Sequence, residues 1–538
     1  MFKYFEGGIG KLLRYQQHTI ENNEDRQNYT SLIFLFVSVK ILLNIIAMGR
    51  FGFQRDELLY ITLGDHLDWG FKEVPPFIAL LAKLSGVFFG KSLFSTRIFS
   101  TIFSALIVWF TGKIVVEFGG KKLAISLACA AVIFSPAFAA SGYLFEPVVF
   151  DQLWWVLLVY LLIRFNNTSR YKYLYFIGPV IGLGLLTKFS ILFFVITIIA
   201  GLLVTEKRKI LFQRPILTII LTALAIFSPT MIWEFNHHLP VLTQMKELRS
   251  EQLADITPWD FFIQQIIVNG IVLLLSLTGL GFLLLSPALR KFQFLGFTYL
   301  FIFFILMALH GKNYYMLGAY PMLFAAGAYG IETWLQKKSF ALQSGVIVFL
   351  TLPNLVLLPL FLPVFPLDQT IAIFNSAYKK LPLFSFEAKW DDKELHPLSQ
   401  NYGVMFGWDE MAEKVATAYG SLSIEQQKHT LIYAFNYGEA SSLHFYGKRY
   451  HLPEVISLNS SFSLWAPANL NAEYIIFIDD KSGANIRKLL PDIESCRKLS
   501  EIENPLAIER GTSVFLITHP KPAFNISYQK ELAQTKLK

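Results

Sequence analysis

Three short stretches of this chain gather ionisable residues where long apolar runs begin or end. The first is FGFQRDELLYITLGDHLDWGFKEVPPF at 51–77, in which Asp56 and Glu57 are followed by Asp65, His66 and Asp68. A carboxylate there could take a proton from a hydroxyl nucleophile. An Asp that merely opens a helix in a solvated loop would look the same. The second, SGYLFEPVVFDQLWW at 141–155, sets Glu146 before an apolar run and Asp151 one turn inside it. An Asp beside Trp154 and Trp155 does not suit lipid; it suits a buried site, or an interfacial acid flanked by belt tryptophans. The third, GLLTKFS at 184–190, carries Lys188, which reads as a phosphate-binding cation or as a snorkelling lysine.

Two more segments complete the set. WEFNHHLP at 233–240 holds His237 and His238, which are adjacent and therefore ill placed to aim at one metal ion from a helix. HGKNYY at 310–315 holds Lys312, a second candidate phosphate partner, followed by Tyr314 and Tyr315. Both tyrosines suit a membrane belt, and Tyr315 is also a candidate substrate contact. Cys129 and Cys496 are the two cysteines; they offer neither metal-ligand spacing nor a disulfide framework. There is no Walker A signature, no Rossmann glycine fingerprint in context and no serine nucleophile elbow. That pattern disfavours nucleotide-driven chemistry and favours a donor already dissolved in lipid.

The elements that must position these residues are membrane helices. Of 538 residues 54% are hydrophobic and only 16% charged, whereas soluble domains carry roughly 25% charged residues. Apolar runs long enough to span recur near 31–49, 96–117, 122–141, 148–165, 172–187, 189–205, 213–233, 261–285, 293–309, 314–334 and 340–362. Residues 76–90 are too short for a confident span. The first run follows a basic segment without a small-residue cleavage site and reads as an uncleaved anchor. The net charge of +8 does not point to nucleic acid, because the cations sit in short loops. Lys121, Lys122, Arg164, Arg170, Lys172, Lys207 to Lys209, Arg290, Lys291, Lys337 and Lys338 fall in one set of alternate loops. The positive-inside rule then puts the N-terminus in the cytoplasm and the segments 50–95, 234–260 and everything after about residue 363 outside.

Beyond the Pro-rich join at Pro353–Pro366 the character changes. TLIYAF (430–435), EYIIFID (473–479) and SVFLITH (513–519) predict strands, and WDEMAEKVATAYGSL (408–422) predicts a helix with an acidic first turn. The expected architecture is a polytopic α-helical membrane protein of about 11–13 transmembrane helices with a C-terminal extracytoplasmic α/β domain. Its parts are a cytoplasmic segment 1–29, a membrane catalytic domain 30–365 whose first outer loop, 50–95, holds interfacial helices, and the outer domain 366–538.

FQRDELLYITLGDHLDWGFKEVPPFIALLAKL, FEPVVFDQLWW, GLGLLTKFS, WEFNHHLP, GKNYYMLGAYPMLFAAGA, FGWDEMAEKVATAYGSL and FNYGEASSLHFYGKRYHLP together carry a resemblance. The chain resembles the GT-C fold membrane glycosyltransferases, in particular the bacterial family 39/83 group related to protein O-mannosyltransferases and the lipid A aminoarabinose transferase. The resemblance implies a transferase in a bacterial inner membrane that uses a polyprenyl-phosphate sugar as donor on the periplasmic face. Its acceptor would be a membrane lipid, a glycan or a protein. By position, Asp56 matches the family's catalytic acid, Glu57 its acidic neighbour and Asp151 a second acid. Lys188 is the position for a donor-phosphate contact. Arg55, Lys72, Glu146, His237, His238, Lys312 and Tyr315 join it as candidate substrate contacts. The aminoarabinose transferases carry Lys directly before Pro-Pro, where this chain has Val74 and Lys72 as its nearest cation. No cofactor is required by this reading, and a divalent ion held by Asp56, Glu57 and Asp151 stays open. A transporter or flippase of a lipid-linked or small substrate is the alternative from another class, and a non-catalytic scaffold a third.

Overall fold

In the computed structural model the described residues are 27–254, 256–380 and 388–537; residues 1–26 of the expected N-terminal segment lie outside them. Among the described residues, seven helices are long and apolar enough to cross a membrane: Gln27–Met48 (α1), Leu93–Phe118, Pro147–Thr168, Pro215–Asn236, Pro258–Leu285, Pro287–Ala308 and Phe340–Leu360. Four shorter apolar helices, Phe77–Phe89, Lys122–Phe134, Lys172–Thr187 and Ser190–Leu203, pack among them. Several begin at a proline, whose missing N–H is one of the unpaired donors of a helix start.

The expected spans 122–141 and 261–285 are interrupted, for identifiable reasons. The run 122–141 divides at Ser135, which is extended (φ −61°, ψ 131°) because Pro136 follows it. The run 261–285 divides at Gly270, which adopts φ +57°. Asn354, almost fully buried, re-pairs that break. Its Nδ2 donates to the Asn269 carbonyl at 3.1 Å and its Oδ1 accepts from the Ile271 N–H at 3.3 Å. Irregular backbone at membrane depth needs such partners.

After α1, the chain forms α2 (Arg55–Asp65) and then α3 (Phe77–Phe89), the segment that seemed too short to span, before α4 (Leu93–Phe118). An α2 with one apolar side suggested a helix lying in the membrane interface. Both its sides are covered by protein: every residue from Glu57 to Gly64 is buried, because α3 covers one side and the helix Tyr437–Tyr446 the other.

That covering helix belongs to the C-terminal domain (the expected outer domain), a five-stranded sheet with β1 (Thr430–Ala434), β2 (Val455–Ile456), β3 (Tyr474–Asp479), β4 (Ile493–Glu501) and β5 (Ser513–Pro520) in the order β2-β1-β3-β5-β4. β1 pairs in parallel with β2 and β3, setting Ile432 opposite Ile476, and β5 runs antiparallel to β3 and β4. The expected strands and the helix Trp408–Gly420 are all present. One sheet face buries Ile432, Ile476 and Val514 in the same apolar cluster as Phe53 and Leu58 of the membrane part, and the other packs Ile475, Phe477 and Ile517 under the C-terminal helix Pro522–Leu537.

Polar contacts pin the same interface. Asp65 at the end of α2 accepts from His444 Nε2 at 2.9 Å, Lys448 Nζ at 3.0 Å and Lys91 Nζ at 2.5 Å. His66 lies flat on Trp465, with centroids 4.3 Å apart and planes 3° apart. Burial works to raise the Asp65 carboxyl, but the three donors outweigh it and hold the group well below the usual carboxylate range. Its stabilisation is therefore complete above the unfolded carboxyl value, about pH 4, and lost only as acid carries the pH below that value. Asp65→Asn is expected to weaken docking by about 1 kcal/mol, since solvent screens part of the cluster. Faster amide exchange across 437–450 in the variant at neutral pH, matched by wild type only below about pH 4, is the measurement that checks it.

Candidate active site

The site is built around the N-terminus of α2. Gln54 caps the helix: its side chain accepts from the Asp56 N–H, and its own N–H donates to Glu57 Oε2 at 2.9 Å. Consecutive helical residues point about 100° apart, so Asp56 and Glu57 meet different surroundings. Glu57 is fully buried and paired with the equally buried Arg97 of α4, Nε to Oε1 at 2.8 Å and Nη2 to Oε2 at 2.6 Å. Arg97 also donates to the carbonyls of Met48 and Gly52, both at 2.9 Å, and Glu57 Oε1 accepts from the Phe145 N–H at 2.9 Å. One ion pair thus ties together the end of α1, the start of α2, the start of α4 and the chain before Pro147–Thr168.

Asp56 keeps 31% of its side chain exposed and opens onto a cavity of about 1000 Å³. Lys72, Glu146, Lys188, Lys312 and Tyr315 line the same cavity, so six of the expected site residues meet there. Lys188 sits between Ile177–Thr187 and Ser190–Leu203, with Nζ 4.5 Å over the Tyr315 ring and 4.9 Å over that of Tyr314. Lys72 is held from the outer domain: its N–H donates to Ser461 Oγ at 2.9 Å and its ammonium to the Thr535 carbonyl. Burial, reinforced by the charges of Asp56 and Glu57, pushes Glu146 up to about 8, so it holds a proton at neutral pH. Burial lowers Lys312, and the charge of Asp56 opposes that fall.

The remaining expected residues lie around the cavity rather than in its wall. Asp151 is buried behind Lys188; it accepts from Ser190 Oγ at 2.7 Å and Trp155 Nε1 at 3.1 Å. Arg55 lies over the Tyr437 ring, 5.3 Å from its centroid. His237 stacks on Trp233 at 4.1 Å, and His238 is exposed. Their segment is tied to the first loop through Trp233 Nε1, which donates to Asp68 Oδ2 at 2.9 Å. Asp56, Glu57 and Asp151 do not converge on a metal site. Among the described residues, the cluster whose ligand atoms lie within 4.8 Å of one another is Asp392, Glu394 and His396, on the outer domain. Arg97 holds Glu57, and Ser190 with Trp155 holds Asp151, so these two carboxylates are engaged elsewhere.

Two participants escaped sequence reasoning. Arg97 had a signal, being a guanidinium inside an apolar span. Tyr437 had none. Its hydroxyl donates to Asp56 Oδ1 at 2.8 Å across 381 positions of sequence.

Residues 73–233 match the family model described as dolichyl-phosphate-mannose-protein mannosyltransferase. No curated protein sequence matches the chain. Among solved structures, the fold is similar to ArnT from Cupriavidus metallidurans bound to undecaprenyl phosphate, with TM-score 0.60 and 11% identity over 91% of this chain and 98% of that one. The apo state of the same protein gives 0.59 and 11% over the same shares. The archaeal oligosaccharyltransferase AglB from Archaeoglobus fulgidus, in complex with an inhibitory peptide and a dolichol-phosphate, gives 0.48 and 12% over 85% of this chain and 69% of that one. The chain therefore has the GT-C fold, a polytopic bundle of membrane helices carrying a C-terminal α/β domain, with a mannosyltransferase-type sequence signature over residues 73–233.

Proposed function

We propose that the chain is a membrane glycosyltransferase. It moves a sugar from a polyprenyl-phosphate donor to a hydroxyl or phosphate group of a lipid, glycan or protein acceptor on the periplasmic face of a bacterial inner membrane. The observation that carries this reading is the cavity itself, where the partly exposed carboxylate of Asp56 shares the walls with Lys72, Lys188 and Lys312. The similar structure of ArnT holds undecaprenyl phosphate, a lipid of the kind this cavity would take.

The chemistry follows from the residue types. For a hydroxyl acceptor, the oxygen is too weakly acidic to attack unaided, so Asp56 accepts its proton as the new bond to the anomeric carbon forms. The bond from that carbon to the phosphate oxygen breaks in the same displacement, inverting the anomeric configuration, and the electron pair leaves with the polyprenyl phosphate. Lys188 and Lys312 stabilise the departing charge. Glu57 and Asp151 act as positioning groups, one holding α2 and the other holding Ser190 beside Lys188. The outer domain packs along α2, whose first turns line the cavity, which supports placing both on the side opposite the Lys- and Arg-rich loops. Within this reading, residues 30–365 form the catalytic membrane unit, 366–538 the outer domain, and the N-terminus is cytoplasmic.

Purified protein in lipid nanodiscs, titrated with undecaprenyl phosphate, tests the donor class. Saturable binding is expected, weakened about 10- to 100-fold by Lys188→Ala, because a charge-assisted contact to phosphate is lost. An absence of saturable binding to the wild-type protein would contradict the proposal.

A further inference from the structure

We propose that Tyr437, supplied by the outer α/β domain, is a positioning residue for Asp56, so that the outer domain completes the active site rather than merely covering it. This inference rests on the reading of Asp56 as the base. The hydroxyl of Tyr437 donates to Asp56 Oδ1 at 2.8 Å, and Arg55 Nε lies 3.7 Å from the same oxygen. No hydrogen-bond donor to Oδ2 occurs among the described residues, and Asp56 faces the cavity. One carboxylate oxygen is thereby anchored and the other left to receive the acceptor's proton.

The outer domain holds this tyrosine in place by several means. Tyr437 opens the helix Tyr437–Tyr446 directly after β1, and Asn436 and Glu439 form a reciprocal cap there, with contacts of 2.9 and 3.1 Å. The Tyr437 N–H donates to Asn459 Oδ1 at 3.2 Å. Gly438 is required by close approach: a Cβ there would lie 2.7 Å from the Arg55 Cγ and Cδ. Arg55 can therefore lie along the helix start with its guanidinium over the Tyr437 ring. Burial, and then the neighbouring Asp56 charge, raise the phenol far above its ordinary value. Tyr437 consequently remains a donor throughout the working pH range.

A phenol that fixes a catalytic carboxylate affects the chemical step and leaves ground-state binding alone. Tyr437→Phe keeps the ring and removes the one oxygen. Turnover by the full-length protein in nanodiscs is expected to fall about 10- to 100-fold in kcat, with KM for donor and acceptor within about twofold of wild type. Gly438→Ala, which displaces Arg55, is expected to lower kcat in the same sense. Tyr528→Phe is the matched control. It removes a phenol hydrogen bond to the Pro467 carbonyl at 2.7 Å inside the outer domain, away from Asp56, and leaves kcat unchanged. Wild-type kcat in Tyr437→Phe would overturn the inference, as would losses equal to those of Tyr528→Phe or a defect confined to KM. Asp56→Asn run in parallel separates the two claims. An inactive Asp56→Asn beside a fully active Tyr437→Phe defeats this inference alone, whereas an active Asp56→Asn defeats the assignment of the base.

Discussion

Asp56→Asn is expected to lower transfer by about 10²- to 10⁴-fold, the usual contribution of a positioned general base. The substitution keeps the shape of the side chain. It also keeps the acceptor for the Tyr437 hydroxyl, because an amide oxygen can take the place of Oδ1. Asp56 takes no part in the Arg97 ion pair, which belongs to Glu57, so thermal stability and membrane insertion should match wild type. Donor binding should also survive, since Lys188 and Lys312 are untouched. A variant that binds polyprenyl phosphate normally and does not turn over is the expected result, read by comparing lipid titration with a single-turnover assay. Substantial residual turnover would remove Asp56 from the role of base.

Arg97→Ala has the largest expected effect on stability. Both members of the Arg97–Glu57 pair are fully buried, and removing one partner of such a pair typically costs about 3–5 kcal/mol, because the other charge is left uncompensated. The Met48 and Gly52 carbonyls lose their donors at the same time. A large drop in melting temperature is expected in detergent, and any protein that stays folded should lose activity, since the start of α2 is then untied from the end of α1 and from α4. Glu57→Gln should be milder, as the amide oxygen still accepts from Arg97 although its charge is gone. Near-wild-type melting of Arg97→Ala would show that this pair does not organise the loop.

Hydropathy made the membrane helices legible because spanning length and apolar content are local properties. It missed the interruptions at Ser135 and Gly270, where a following proline or a distant Asn354 decides the backbone. The long strands of the outer domain were visible as β-branched and aromatic runs. β2, with two residues, and the edge strand β4 were not. The polar β4 sequence IESCRKLSE shows no apolar alternation, and its pairing comes from β5. The covering of α2 on its second side was not legible for a related reason: the helix that buries it lies nearly 400 positions later in the chain.

Among the expected site residues, types and spacing picked out six that line one cavity, and not how their surroundings differ. Asp56 and Glu57 are indistinguishable as letters, yet one turns to the cavity and the other to Arg97. Of Asp151 and Lys188, both expected in the site, only the lysine reaches the cavity wall. Nothing local marked Tyr437, whose relevance arises only when two separately folded parts meet.

The most direct test of the account is lipid mass spectrometry on cells carrying either the intact chain or Asp56→Asn at equal abundance, following polyprenyl-phosphate sugars together with envelope glycolipids. A sugar-charged carrier lipid is expected to accumulate in the variant. A glycolipid that loses the same sugar mass would name the acceptor, and accumulation of the carrier alone would point to a protein or polymeric glycan. Unchanged carrier and glycolipid pools in the variant would contradict a transferase that depends on Asp56.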